Sequence, residues 1–263
     1  MIKKLINKIF TAKMITLDEM TPREEVLSFI RNIRPYSTNL ELIRMGPKSD
    51  GGYLIPNDLS NIEACFSPGV ANEFGFEIDC YNNGMKLFLA DKSVERPIIP
   101  NIEFQFKKKF ISCFSREGFI TMDNWVRSSL NKDNNSDLLL QMDIEGHEYA
   151  SIINMSQNLL NRFRIMVIEF HDLDKIWTKS FFSFVNIAFE KILMCHTCVH
   201  IHPNNHCGYR MKNGIKIPRV MEFTFIRNDR IKTKFPKKNF NHELDVDNDT
   251  KSPPIVLPKY WFN

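Results

Sequence analysis

Residues 143 to 148 read Asp-Ile-Glu-Gly-His-Glu, directly behind the apolar run Leu138, Leu139, Leu140 and Met142. Asp143, Glu145, His147 and Glu148 thus place carboxyl and imidazole groups side by side. Other apolar runs end the same way: Asp91 follows "KLFLA", Glu169 and His171 close "VIEFH", and His200 and His202 close "CVHIH". Such groups move protons near neutral pH, orient hydroxyls and ligate divalent ions. A single acid behind a strand is ordinary, because it caps the next helix or meets its dipole. Several separate segments ending in Asp, Asp/Glu, Glu/His and His/His point instead to one shared site. Within it, His147 is expected on a helix surface and Glu148 as a first-turn dipole partner.

The elements that must position these groups are legible as alternating periods. "IEACFSPGV", "MKLFLAD", "DLLLQMD" and "RIMVIEFH" are apolar runs of strand length, and "IEFQFKKKFIS" alternates. Helical stretches separate them: "ANEFGFEIDCYNNG" with Phe74, Ile78 and Tyr81 on one side and Gly84 as its stop, "TMDNWVRSSL" capped by Thr121, "EGHEYASIINMSQNLL", and a long one from about Lys175 to Lys191. "TCVHIHP" and "RVMEFTFIR" close the series. Strands apolar throughout imply a sheet covered on both faces, hence an α/β, mostly parallel, doubly wound sheet with antiparallel end strands. Ahead of it, Thr21, Pro22 and Glu24 form a capping box, and "LELIRM" with "GYLIP" reads as a hairpin across "GPKSDGG". Ligands of such sheets collect outside the carboxyl ends of the strands, where the acid and imidazole tips would converge.

Asp91 carries a narrower reading. An acid at the end of the second strand accepts the hydroxyls of a ribose. The first turn, "SPGVANEFG", has neither GxGxxG nor P-loop spacing, so a pyrophosphate ligand and hydride chemistry are disfavoured. A ligand with a ribose but no pyrophosphate fits better, and S-adenosylmethionine is its obvious member.

"SDGGYLIP", "FSPGVANEFGFE", "LADKSV", "LLLQMDIEGHEYASI", "VIEFHDL" and "HIHPNN" followed by "IPRVMEFTFIR" together resemble the FkbM-like methyltransferase family, over roughly residues 41 to 227. The resemblance implies a Rossmann-like methyltransferase fold and an S-adenosylmethionine-dependent O-methyltransferase. Its acceptor would be a small molecule or glycan, with a sugar hydroxyl in surface-glycan synthesis as the reading by analogy. It places Ser67, Gly69 and Val70 in the cofactor turn, Asp91 at the ribose, and Asp143 at the junction of cofactor and acceptor with Glu145 beside it. Gly51 and Tyr53, in "SDGGY", read either as part of a cofactor lid or acceptor loop or as a simple hairpin turn. The cofactor turn departs from the usual methyltransferase motif, which opens with an acid and holds several glycines; here it has Pro68 and one glycine.

Methyl transfer is an in-line displacement, so alignment supplies much of the rate and a base must take the acceptor's proton. His171 is the first candidate base and His202 the second. Asp143 and Glu145 would orient it, or join His171 in holding magnesium or manganese. Asn204 and Asn205 read either as hydroxyl-binding or as side chains bonding their own turn. A metal-dependent hydrolase on the same rim, and a non-catalytic nucleoside-binding member of the family, stand as alternatives.

The remaining features narrow the class. The chain has 263 residues, 43% of them hydrophobic, and a formal charge of +4, too mild for a nucleic-acid partner. Cys195 and Cys198 form a CxxC without a second pair, which favours buried reduced thiols over zinc and a cytoplasmic setting. Apolar runs are too short for a membrane span. "MIKKLINKIF" reads as a lead-in helix, with weak membrane-surface contact as the other reading. Residues 1–40 form the lead-in, 41–230 the main domain, and 231–263 an extended tail that wraps the domain or stays partly disordered.

Overall fold

The computed structural model describes residues 18–70, 73–130 and 135–263; the "MIKKLINKIF" segment lies outside them. The chain enters through α1 (Arg23–Asn32), β1 (Tyr36–Thr38) and an antiparallel hairpin of β2 (Leu42–Met45) and β3 (Tyr53–Pro56). Then come β4 (Ile62–Pro68), α2 (Gly75–Asn82), β5 (Lys86–Ala90), β6 (Phe104–Lys107), the short pair β7 (Phe110–Ile111) and β8 (Phe119–Ile120), and α3 (Met122–Ser129). β9 (Asp137–Met142), α4 (Glu148–Asn154), α5 (Gln157–Leu160), β10 (Phe163–Phe170) and α6 (Lys179–Leu193) follow. The chain closes with β11 (His196–Pro203), β12 (Tyr209–Lys212), β13 (Ile215–Pro218), β14 (Met221–Arg227) and β15 (Lys234–Pro236).

Seven strands form the central sheet in the order β6-β5-β4-β9-β10-β14-β11. β6 to β10 run parallel, and β14 runs against both β10 and β11. Numbered along the chain, the order is 3-2-1-4-5-7-6. The antiparallel strand therefore lies inside the sheet, not at its end, and the edge strand β11 points with the majority. Strand order reverses between β4 and β9, where an open α/β sheet leaves its crevice.

The sheet buries both faces. On one, Phe66, Phe88, Leu138, Leu140, Ile168, Phe223 and Phe225 pack beneath α1, α3, α4 and α6. On the other, Cys65, Leu87, Leu139, Ile165, Val167 and Ile226 pack beneath α2 and the β2–β3 hairpin. Each fully buried Leu or Ile contributes about 2 kcal/mol by leaving water. Toward the carboxyl ends this second face turns polar. Ser67, Gln141, Glu169, Glu222 and Thr224 are buried there, continuing the strands whose lower halves are apolar.

Several local expectations are corrected by tertiary contacts. The capping box does not form: helix α1 starts at Arg23, and the Thr21 hydroxyl donates to the Ile176 carbonyl (2.7 Å). Helix α2 buries Phe76, Glu77 and Cys80 rather than Phe74, Ile78 and Tyr81. The helix expected across residues 145 to 160 is two, α4 and α5, with Ser156 capping the second at the Leu159 amide (3.2 Å). The β12–β13 hairpin turns at Asn213-Gly214, both at positive φ (49° and 73°). Asn-Gly is a strong hairpin signal, because both central residues of the turn need positive φ. Thr121 caps α3 as expected.

The tail is ordered and wraps the domain. β15 pairs with β1, Ile255 and Leu257 are buried, and fully buried Trp261 donates its indole N–H to the Lys216 carbonyl (2.9 Å). The six cysteines are free thiols. Among the described residues no helix is long and apolar enough to cross a membrane.

Candidate active site at the carboxyl edge of the sheet

Register builds the site. Glu169 on β10 pairs with Glu222 on β14, and Glu222 pairs with His202 on β11. Ile168 pairs with Met142, so Asp143 follows one step beyond, level with Glu169. Side chains in register share a face, so acids from three strands meet at one edge. The "SDGGY" loop adds a further one, since Asp50 comes within metal-ligand reach of Glu169 and Glu222.

The loop after β9 is held by its own acid. Glu148 is fully buried, and its Oε1 accepts from the Ile144 amide (3.1 Å) and the Gly146 amide (3.0 Å). The same oxygen lies 3.2 Å from His171 Nδ1. Glu148 is therefore the anchor of the loop and of the imidazole, beyond the dipole role read from its position. Glu145 takes a left-handed backbone (φ 56°), uncommon for a residue with a side chain, and reaches out exposed toward His171. Gly69 lets the turn after β4 close against this loop. A β-carbon there would lie 1.4 Å from the Asp143 carbonyl oxygen.

His171 sits among carboxyl groups. Its Nε2 is 3.4 Å from Glu145, 3.7 Å from Glu169 and 3.8 Å from Asp143. Burial alone would push the imidazole down. The Glu148 hydrogen bond and the charges of Glu148, Asp143 and Glu145 outweigh it and hold His171 up at about 9. Burial, with Glu145 and Glu148 adding, raises Asp143 to about 7. Burial also raises Glu222 to about 8 and lifts Glu169 well above the usual carboxyl range, with Asp143 and Glu222 adding to the latter. At neutral pH His171 is thus an imidazolium on a crowded acidic rim. The expectation of a free base poised near the working pH does not hold for His171 among these carboxyl groups.

Two hollows open on this edge. The larger, about 470 Å³, is lined by Gly69, Asp91, Phe110, Phe119, Asp143 and Glu145, with exposed His147 at its mouth. The smaller, about 70 Å³, lies under Gly51 and Tyr53 and reaches Val70, Glu77, Gln141 and Asp143. Gly69 and Asp143 border both. Asp91 Oδ1 accepts from the Ser93 amide (2.7 Å) and hydroxyl (2.6 Å), which fixes the carboxylate and leaves Oδ2 without a hydrogen bond among the described residues. Larger hollows of about 790 and 700 Å³ lie elsewhere, one beside Tyr81 and Lys86 and one beside Asp123 and Arg162, and hold no acid–imidazole cluster among the described residues.

Three expected roles change. The Ser67 side chain is fully buried, with its Oγ 2.6 Å from Glu77 and 2.7 Å from Gln141, so the residue lines neither hollow. One hydroxyl proton cannot serve two acceptors. Burial raises Glu77 while the Ser67 hydrogen bond opposes it; a protonated Glu77 donating to Ser67 Oγ would leave the Ser67 proton for Gln141. His202 faces the tail, not His171: it opens on a hollow with Phe240, Asp245 and Ile255, and burial pushes it down to about 4. Asn205 is spent on the tail, with its Nδ2 bonded to the Asp249 (2.8 Å) and Ser252 (3.0 Å) carbonyls. Asn204 does bond its own turn, accepting from the His206 amide (3.1 Å), and also donates to Glu169 (3.3 Å).

Two sets of atoms could converge on a cation at the rim: Asp143, Glu169 and His171, with Glu169 in the place expected for Glu145, and Asp50, Glu169 and Glu222. Glu169 is at the shared edge that its strand end implies, whereas Glu222 and Asp50 carry no local signal of the site, because their partners lie far along the chain. Cys195 and Cys198 join no cluster of possible metal ligands among the described residues. No protein-family model matches the chain, and no curated protein matches it.

Proposed function

We propose that the protein is an S-adenosylmethionine-dependent O-methyltransferase acting on a hydroxyl of a sugar or related polar acceptor. One observation carries the reading: a single 470 Å³ hollow is lined by Asp91, from the end of β5, together with Asp143 and Glu145, from the loop after β9. Its size is within the ~300–1,000 Å³ of small-molecule sites. Strand order 3-2-1-4-5-7-6 with an antiparallel seventh strand agrees with the methyltransferase fold that the motifs imply.

The residues fit the nucleoside. Asp91 offers an oriented carboxylate to a ribose diol, while Phe110, Ile111 and Phe119 supply apolar walls for a base. The smaller hollow, bordered by Asp50, Glu73 and Gly51, is polar enough for an amino-acid tail. The acidic rim favours a positive ligand, such as a sulfonium with its ammonium. When bound, the cofactor supplies an activated methyl group. The protein's part is alignment and proton removal. Like charges disfavour one another, so a cation on the rim lowers the hold of His171 on its proton and brings the imidazole toward its base form. Glu148 keeps Nδ1 occupied, so Nε2, facing Asp143 and Glu145, is the nitrogen that would take the acceptor proton.

Calorimetric titration of the protein with S-adenosylmethionine and S-adenosylhomocysteine tests the reading. Saturable binding that Asp91→Ala weakens at least ten-fold supports it, and folded protein that takes up neither nucleoside sinks it. The Asp143–Glu169–His171 cluster favours a second reading, a metal-dependent hydrolase. That enzyme would bind a divalent ion, ignore both nucleosides and tolerate Asp91→Ala. Nucleoside binding without methyl transfer to any acceptor would mark a non-catalytic relative.

A further inference from the structure

A second set of ligand-type atoms lies apart from the rim hollows, where the tail crosses β11. His200 and His202 stand two apart on that strand, and Asp245 comes from the tail. One nitrogen of each imidazole and one Asp245 oxygen lie within 4.8 Å of one another. Asp245 Oδ1 is 2.9 Å from His200 Nε2 and 3.8 Å from His202 Nδ1. Bonds of about 2.0–2.1 Å to one ion place neighbouring ligand atoms roughly 2.9–3.4 Å apart, so the two distances bracket that spacing.

One contact does not account for this approach. Asp245 Oδ1 and His200 Nε2 lie within hydrogen-bonding distance, and each favours the other's charged form. The His200 side chain is 3% exposed, yet its Nδ1 has no hydrogen-bond partner. His202 Nε2 also lacks one. Buried polar atoms without partners are rare and costly, and here each imidazole keeps one. Arg44 and Lys237 lie within electrostatic reach of Asp245, but neither forms an ion pair with it among the described residues.

The strand is built to present them. Register between β11 and β14 slips by one residue between Cys198 and His200. A one-residue slip sends the following side chains to the other face. Cys198 packs in the core beneath the helices, while Val199 packs on the opposite face. Without the bulge, His200 and His202 would follow Cys198 into the helix-covered core. With it they turn toward Asp245 and a hollow of about 250 Å³, through which water or a further ligand can enter.

We propose that His200, His202 and Asp245 bind a divalent transition-metal ion of the zinc class and so staple the tail to the sheet. Two imidazoles and one carboxylate suit such an ion better than magnesium or calcium, which prefer all-oxygen sets. The staple would reach the rim, because Asn248, three residues on, donates to Glu222 (2.8 Å) and Asp50 (2.9 Å). The site is independent of the methyltransferase reading.

The test uses the full chain, stripped with a chelator, exposed to zinc chloride, desalted and assayed for metal. About one zinc per chain is expected, with affinity lowered roughly ten-fold or more in His200→Gln/His202→Gln and in Asp245→Ala. Asp143→Asn, at the rim, should keep the zinc. Should the double variant fail to fold, Asp245→Ala decides alone, and cobalt loading gives a second readout through visible absorption that Asp245→Ala removes. Wild-type protein that retains no zinc, or zinc lost in Asp143→Asn but kept in the histidine variants, overturns the proposal.

Discussion

Gly69 and Asp143 meet backbone to backbone at the reversal point of the sheet. The Asp143 amide donates to the Pro68 carbonyl (3.2 Å), and a side chain at Gly69 would occupy the space of the Asp143 carbonyl oxygen. Gly69 also needs its positive φ of 88°. Gly69→Ala should therefore cost roughly 3 kcal/mol, from left-handed strain plus overpacking. Urea unfolding would read this as a lower midpoint with little change in slope. A variant as stable as the wild type would mean that the turn is not packed in this way.

Asp91 is tied by two hydrogen bonds to Ser93 through one oxygen only. Asp91→Ala should weaken S-adenosylhomocysteine binding about 10- to 100-fold, the worth of hydrogen bonds to a charged acceptor. Thermal stability should change little. Unchanged affinity by calorimetry would remove Asp91 from the ligand site.

Stability should fall with alkaline pH. Asp143 (3.8 to about 7), Glu222 (4.5 to about 8) and His171 (6.5 to about 9) all hold protons more tightly in the folded chain. A raised group contributes stability below its unfolded value and loses it as pH rises through its folded value. His196, His200 and His202 run the other way, but their contribution is complete above 6.5. Between pH 6.5 and 9 the raised groups therefore dominate, and the melting temperature should drop on the order of 5 °C. Asp143→Asn should flatten the curve; a flat wild-type curve would contradict the crowding at the rim.

Glu148 sets the protonation of His171 through a 3.2 Å contact, and holds the loop through two amides. Glu148→Gln keeps an acceptor oxygen but removes the charge. On the proposed methyltransferase reading, the rise of rate with pH should move to lower pH by about one unit, with a smaller change in KM than in kcat. A variant that loses activity equally at every pH would assign Glu148 to loop structure alone.

Much of this was decided locally and so was readable from the chain. Apolar runs such as Leu138 to Met142 specify buried strands wherever they pack, and Thr121 caps α3 from three residues away. The convergence of Asp91, Asp143 and His171 on one edge follows once those strands are parallel neighbours, because strand ends are sequence features. Tertiary structure decided the rest. Thr21 left its box for a carbonyl 155 positions away. Ser67 was taken by Glu77 and Gln141, and Asn205 by the tail. Glu169 faces Glu222 through the pairing of β10 with β14, and a single-residue bulge turned His200 and His202 to their face. Period and composition report what a segment does by itself. Register, bulges and partners distant in sequence depend on which strand lies alongside, and that is chosen by the packing of the whole sheet.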